Sequence, residues 1–394
     1  MGVFFVLSFI LSLSAIIVTL KILVGYNPEF SLKSKLLIAF AVVFSWFSPT
    51  FAGIIRWFRL LPEKTGIFVS QGLYTVFVTV VFLLGLLLIR DLFWMNGYKI
   101  ARKLGKASPA YDPMSPRAIK KANVATVLAA CLLSAYSLYE GMKFPAVKET
   151  QIVTEKVASP FKIVALTDTH ITPATSVSRV KQLVETVNGL KPDMTVLVGD
   201  IADGKPASVE KQMRVLARLD AKYGVFVTLG NHEFYHGSLD WERQFKKMGL
   251  LYLANNGLSL DKANVYVSGL PDPQLLMLSD QTMRNFKRTM KAAPEGAYRV
   301  FLSHSPRFIK RLNKDLIDLQ ISGHTHGGQV FPFHFLVRRF NDFVAGLYDV
   351  EGMKLYVSRG ASGWGPPMRF LAPSEISVIT LMPAEAGKHD RPEN

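Results

Sequence analysis

The sequence predicts a multi-pass α-helical membrane region followed by an α/β domain, in which two mixed β-sheets pack together and helices flank them. Three observations predict it. Up to about residue 142 the chain is dominated by long apolar runs. From about residue 160, short β-branched runs alternate with stretches of helical spacing. No histidine precedes His170, and five polar motifs from Asp168 onward each follow the carboxyl end of an apolar run.

The membrane region comes first, over residues 1–142. Crossing a hydrocarbon core takes about 20 helical residues, and four stretches qualify: Gly2–Leu20, Leu36–Ile55, Ile67–Ile89 and Ala122–Tyr139. None contains Lys, Arg, Asp or Glu, each of which costs about 2.5–3.5 kcal/mol at mid-bilayer. The fourth is diluted by Asn123, Thr126, Ser134 and Ser137, so a buried soluble helix is its alternative. The first run lacks a basic leading segment and a small-residue cleavage site, which argues against a removable signal peptide.

Charge supports this division. The formal net charge is +16, yet residues 1–143 hold fifteen Lys and Arg against five Asp and Glu. Most of the excess therefore lies between apolar runs, where membrane topology accounts for it and nucleic acid is not an expected partner. The basic loop at 90–121 carries Arg90, Lys99, Arg102, Lys103, Lys106, Arg117, Lys120 and Lys121 against Asp91 and Asp112. By the positive-inside bias it is cytoplasmic, so the fourth span delivers the following domain to the extracytoplasmic face. The single cysteine, Cys131, excludes an internal disulfide, a thiolate zinc finger and a catalytic thiol in the soluble part.

Residues 143–159 read as a linker, 160–383 as the α/β domain and 384–394 as a disordered tail. Strands are expected at Lys162–Leu166, Met194–Val198, Val225–Leu229, Arg299–Leu302 and Leu319–Ser322. Val177, Val180, Val184 and Val187 mark one helix, and Val209, Met213, Leu216 and Leu219 another. Val265–Ser268, Lys354–Ser358 and Glu375–Leu381 read as late strands that pair antiparallel in a second sheet.

The motifs are Asp168-Thr-His170, Gly199-Asp200-Ile-Ala-Asp203, Gly230-Asn231-His232-Glu233, Ser303-His304-Ser305-Pro306 and Gly323-His324-Thr325-His326-Gly327-Gly328-Gln329. Each alone is a weak signal: a capping aspartate or a surface histidine explains it. Taken together, in order and each past a strand, they place carboxylate, amide and imidazole groups where loops converge above a sheet edge. Such a set can hold two divalent cations. Its mixed nitrogen and oxygen donors suit Mn, Fe or Zn without choosing among them.

These residues and their order resemble the calcineurin-like metallophosphoesterases over about residues 155–383. The endings Gly323–Gln329, Arg359-Gly-Ala-Ser-Gly-Trp364-Gly-Pro-Pro-Met-Arg369 and Pro373-Ser-Glu375 are similar to a membrane-associated, cell-envelope phosphodiesterase branch. The resemblance implies a binuclear centre with Asp168, His170 and His326 on one metal, Asn231, His304 and His324 on the other, and Asp200 bridging. It implies His232 as general acid, oriented by Asp203. Glu233 stands where many relatives have aspartate. No arginine follows Asp203, unlike the protein-phosphatase branch, which counts against a phosphoprotein substrate.

The implied function is a membrane-anchored phosphoesterase acting on phosphodiester or pyrophosphate bonds of envelope lipids or their precursors. A UDP-2,3-diacylglucosamine-like compound is one substrate by resemblance, although nucleotide-linked precursors are cytoplasmic and the domain is read as facing outward. A broad-specificity phosphomonoesterase is the alternative, and a non-catalytic metal-binding membrane sensor a third. Phe331-Pro-Phe333-His-Phe335-Leu-Val-Arg338-Arg339-Phe340 mixes aromatic and basic residues in the manner of a bilayer interface. Packing of these aromatics in the core is the blander expectation, and the one held in front.

Overall fold

The computed structural model describes residues 13, 15–25, 27, 29–272 and 280–384. Its helical part holds α1 (Leu32–Trp57), α2 (Glu63–Lys103) and α3 (Pro116–Met142). All three are long and apolar enough to cross a bilayer, which makes the chain a multi-pass integral membrane protein. They contain three of the four expected spans. The first, Gly2–Leu20, lies mostly outside the described residues; its last part belongs to a shorter apolar helix, Ala15–Gly25.

The fourth expected span is the helix α3, and two of its polar residues have a use. Asn123, Thr126, Ser134 and Ser137 are all buried. Arg90 Nη1 donates to Asn123 Oδ1 at 2.7 Å and to Thr126 Oγ1 at 3.2 Å, while Arg90 also pairs with Asp91 at 2.6 Å. One expectation needs correction here. The basic segment 90–121 is not all loop, because α2 runs unbroken for 41 residues to Lys103. At 1.5 Å per residue that is about 60 Å, twice the hydrocarbon thickness. Nothing in 90–103 breaks a helix, and the chain turns only at Gly105, whose φ is 67°.

The α/β part contains two six-stranded sheets. Its strands are β1 (Ala146–Thr154), β2 (Phe161–Leu166), β3 (Met194–Val198), β4 (Val225–Thr228), β5 (Leu251–Tyr252), β6 (Asn256–Leu260), β7 (Val265–Leu270), β8 (Tyr298–Ser303), β9 (Leu319–Ser322), β10 (Gly346–Val350), β11 (Met353–Val357) and β12 (Glu375–Pro383). The orders are β1-β12-β2-β3-β4-β5 and β10-β11-β9-β8-β7-β6. Helices α4 (Val177–Gly189), α5 (Glu210–Leu216), α6 (Asn231–Tyr235), α7 (Ser238–Lys247), α8 (Asp280–Lys291) and α9 (Phe333–Asn341) complete it.

Side-chain alternation builds the layers. Along β2, Ile163 and Ala165 face the second sheet with Val196, Val198, Val300, Leu302 and Ile321. Val164 and Leu166 face the other way, onto Val180, Val184 and Val187 of α4 and Met213 and Leu216 of α5. Tyr266, Phe301, Leu355 and Val357 of the second sheet cover Phe286, Met290, Phe308 and Ile309 on its outer face. The two mixed sheets and their flanking helices agree with the expected class.

Three expectations are corrected. Residues 143–159 are not a plain linker, since 146–154 forms β1, parallel to β12 over nine residues. Only Ile152 in that strand is buried, so an edge position hides its character from a hydrophobicity reading. The late strands do not pair with one another. Glu375–Pro383 enters the first sheet between β1 and β2, while β7 and β11 lie apart in the second. Finally, the aromatics after the histidine loop do not pack in the core: α9 has no buried residue, and Phe335 is 63% exposed. The tail beyond residue 384 lies outside the described residues.

Candidate metal centre

All seven predicted ligands and both predicted catalytic residues sit at one edge of the two sheets. Asp168 and His170 follow β2, and Asp200 and Asp203 follow β3. Asn231 and His232 open α6 after β4, His304 follows β8, and His324 and His326 follow β9. Because β2, β3 and β4 are parallel, as are β8 and β9, their carboxyl ends lie together and the loops converge there.

The backbone is bent to achieve this. Asp168, His170, Asp200, His324 and His326 all adopt positive φ, between 40° and 71°. A non-glycine residue in that region costs about 1–3 kcal/mol, and such strain gathers where the fold must aim particular side chains. Glycine is required where the loops touch. A Cβ on Gly230 would lie 2.2 Å from Asp200 Oδ1, and one on Gly323 2.2 Å from Asp168 Oδ2.

Asp200 is the centre of the cluster. Its Oδ2 lies 3.0 Å from His304 Nε2, 3.9 Å from His170 Nε2 and 4.0 Å from His232 Nε2. On one side Asp168 Oδ1 is 3.6 Å from His326 Nε2, which in turn is 3.2 Å from His170 Nε2. On the other, His324 Nδ1 is 3.0 Å from Asn231 Oδ1. Asp168, His170 and His326 form one group with atoms close enough to share an ion, and Asp200, His304 and His324 another.

The donor chemistry fits two divalent cations. His304 Nδ1 faces the carbonyl of Val198 at 2.9 Å, so that nitrogen carries hydrogen and Nε2 keeps its lone pair. Nε2 makes no well-directed hydrogen bond among the described residues, although the Asp200 carboxylate is 3.0 Å away. A lone pair set against a carboxylate calls for a cation between them, whether a proton or a metal ion. Burial opposes the charge on His304, but Asp200 raises its pKa well above the ordinary histidine value. Asp200, despite burial, is held well below the usual carboxylate range by His304 and the neighbouring imidazoles. Across the site, burial and the charge of His232 lower His170 to about 3, and burial together with Arg369 lowers His326 well below its normal range. Both rings are neutral at physiological pH, as ligands must be.

His232 occupies a different environment. Its Nδ1 lies 3.2 Å from Asp203 Oδ1, and its backbone N–H donates to Asp200 Oδ1 at 2.8 Å. Burial lowers its pKa, but the hydrogen bond to Asp203 and the nearby carboxylates raise it further, above the ordinary value. Two exposed aromatic rings stand by it: Tyr235 at 5.5 Å and Trp364 at 5.8 Å between centroids. Trp364 is fixed through its backbone, which exchanges two hydrogen bonds with the Gln329 side chain at 2.8 and 3.1 Å.

Three contributions escape sequence reasoning. His236 Nε2 lies 2.8 Å from the same Asp203 Oδ1, so two imidazoles share one carboxylate oxygen. Its position one helical turn after His232 was the available signal. Glu233 does more than preserve a charge. Its Oε1 accepts the N–H groups of Ile201 and Ala202, and its Oε2 those of Asp200 and Gly230, all at 2.8–3.0 Å. Burial and Asp200 push this carboxyl up to about 7, against the N–H groups of Ala202 and Gly230 and the charge of His304. Arg369 is buried and donates to the carbonyls of His326, Arg359, Ser362 and Ala372, tying the histidine loop to the chain that follows. Backbone partners of this kind leave no trace in residue spacing.

Comparison with known proteins agrees with this geometry. The family model described as calcineurin-like phosphoesterase matches residues 161–328. An uncharacterised metallophosphoesterase of Campylobacter jejuni is 36% identical over 264 residues, taking in 64% of this chain and 69% of that protein. One from Aquifex aeolicus is 32% identical over 64% of this chain and 97% of its own length. A zebrafish (Danio rerio) protein described as a transmembrane protein with metallophosphoesterase domain is 27% identical over 84% of this chain and 75% of its own.

Proposed function

Since the chain belongs to the calcineurin-like phosphoesterases, we propose that it is a membrane-anchored hydrolase of phosphodiester or pyrophosphate bonds in envelope lipids. The observation that carries the reaction type is the convergence of Asp168, His170, Asn231, His304, His324 and His326 around Asp200. We assign Asp168, His170 and His326 to one cation, Asn231, His304 and His324 to the other, and Asp200 to both. Two divalent cations, when bound, supply a nucleophilic water at neutral pH and hold the phosphoryl oxygens for in-line displacement.

The remaining chemistry belongs to the chain. His232, raised in pKa and anchored through Nδ1 on Asp203, can donate a proton from Nε2 to the departing alkoxide. Asp203 holds that ring in orientation. Glu233 fixes the two turns that carry Asp200 and Asn231. The buried, strained loops set these groups in place before substrate arrives, and preorganisation of that kind is where most rate enhancement originates.

Lipid as substrate is supported by the spanning helices together with the exposed aromatic helix α9. The basic stretch from Arg90 to Lys121 favours a cytoplasmic connection between α2 and α3, and hence an extracytoplasmic domain. An outward-facing site favours a phosphodiester or pyrophosphate of the finished envelope over a nucleotide-linked precursor such as a UDP-diacylglucosamine.

The test is turnover by the full-length protein in detergent, stripped and reloaded with Mn²⁺ or Zn²⁺, on bis(p-nitrophenyl) phosphate and p-nitrophenyl phosphate. Preference for the diester is expected. Preference for the monoester would replace this reading with a broad phosphomonoesterase. Silence on both, with two metals bound, would leave a metal-binding sensor.

A further inference from the structure

Helix α9 begins five residues after Gly328 and carries its apolar side chains outward. Phe335 is 63% exposed, Leu336 50% and Phe340 48%, and Leu371 nearby is 72% exposed. A soluble surface rarely gathers large apolar groups so densely without a partner. Arg338 and Arg339 share the helix, and neither makes an ion pair among the described residues. Beside α9 lies a pocket of about 510 Å³, lined by Gly327, His334, Arg338, Tyr348, Arg359 and Phe370 among others. Asp342 also lines it, but Arg307 and Lys310 pair with that carboxylate at 3.2 and 2.9 Å; Arg359 pairs with Glu375 at 3.1 Å, which leaves Arg338 as the wall's cation without an ion pair among the described residues. Gly327 directly follows His326, which places the pocket next to the metal loop.

We propose that α9 docks on the bilayer surface and that this pocket takes the anionic headgroup of a bilayer lipid. Three features select this occupant. Aromatic and aliphatic side chains beside exposed arginines match the layered chemistry of a membrane interface, apolar below and anionic above. The chain itself enters a bilayer, and only Lys143, Phe144 and Pro145 separate α3 from β1, about 10–14 Å of extended chain. The pocket sets Arg338 beside the aromatic residues Phe331, Tyr348 and Phe370, as an amphiphile requires. Docking does not depend on the hydrolytic reading; only the consequence for lipid turnover rests on it.

The test uses the full-length chain in nanodiscs of phosphatidylcholine with one third phosphatidylglycerol. An environment-sensitive fluorophore is attached at Phe335→Cys in a Cys131→Ser background, and a control fluorophore at Glu185→Cys on α4. Lipids brominated in their acyl chains should quench the probe at 335 and leave the probe at 185 unchanged. Arg338→Gln with Arg339→Gln, or discs of phosphatidylcholine alone, should weaken docking by about thirtyfold, since each arginine near an anionic surface contributes about fivefold. Equal quenching at both positions overturns the proposal. So does a blue-shifted but unquenched probe at 335, which would mean that protein, a second copy included, covers α9.

A second measurement addresses delivery of lipid to the pocket, because α9 carries both the docking side chains and, in His334 and Arg338, part of the pocket wall. Phe335→Ser with Leu336→Ser should lower kcat/KM for a phospholipid ester in the disc at least tenfold while leaving bis(p-nitrophenyl) phosphate unchanged. Equal loss on both substrates would sink the headgroup site. Failure of all turnover, with quenching at 335 intact, would count against the hydrolytic reading alone.

Discussion

Removing the Glu233 side chain should cost the metal centre both of its central turns. The carboxylate accepts four buried backbone N–H groups, two per oxygen, from Asp200, Ile201, Ala202 and Gly230. An orphaned buried donor costs about 1–3 kcal/mol. Glu233→Ala orphans all four, about 4–12 kcal/mol, which rivals the whole stability of a typical domain at about 5–15 kcal/mol. Glu233→Gln replaces one acceptor by an NH₂ group that faces two donors, and loses about 2–6 kcal/mol. Glu233→Asp keeps the charge but withdraws it by one methylene, so it should fall between wild type and Gln. The assay is thermal unfolding of the full chain in detergent at pH 8, where a group with a pKa of about 7 is ionised, together with metal content after desalting. The expected order of midpoint and of bound metal is wild type, Asp, Gln, Ala. A Glu233→Ala protein with an unchanged midpoint and two metals per chain would refute the reasoning, because the four donors would then have found other partners.

The other predictions address the ligands and the acid. Asp200→Asn should abolish turnover and leave at most one metal per chain, measured by elemental analysis; normal turnover contradicts the bridging role. His232→Ala should retain both metals yet slow esters with poor leaving groups by about 10²–10⁴-fold, and activated p-nitrophenyl esters much less. Equal slowing across a leaving-group series would remove the general-acid assignment. Gly230→Ala drives a Cβ to 2.2 Å from Asp200 Oδ1 and 2.4 Å from its backbone nitrogen. No rotamer relieves a clash with backbone, so displacement of the turn should lower kcat/KM by about 10²-fold. Loading Mn²⁺ into metal-free protein at pH 7 should release about one proton per chain from His304, read by calorimetry in buffers of different ionisation enthalpy. For His170 the sign runs the other way. Its pKa falls from 6.5 unfolded to about 3 folded, so its contribution to metal-free stability is complete above pH 6.5. That contribution is lost as pH drops toward 3, by about 1.4 kcal/mol per unit. His170→Gln should flatten this acid limb; an unchanged slope would place the proton uptake elsewhere.

What the residues announced and what they concealed divides along a physical line. Interior strands such as β2, β3, β4, β8 and β9 are continuous apolar runs between polar turns, so hydrophobicity alone finds them. The proposed ligands stand just after those runs, so finding the strands also found the edge where they gather. Strand β1 was missed because an edge strand with one buried residue owes its existence to the Ala146–Thr154 ladder against β12, a backbone pairing across more than 200 residues. The order of β12 between β1 and β2 is equally a matter of long-range pairing. Glu233, His236 and Arg369 were hidden for a related reason. They act on main-chain groups or on a carboxylate already claimed by His232, and no spacing rule records which amide an acid will meet. In α9 the failure was one of environment. Phe335, Leu336 and Phe340 are apolar, and core burial is the default for apolar residues in water. For a chain that carries its own bilayer, a second apolar phase competes for those side chains. Exposure of Phe335 beside the equally exposed Arg338 and Arg339 therefore says more about where this domain works than any buried residue does.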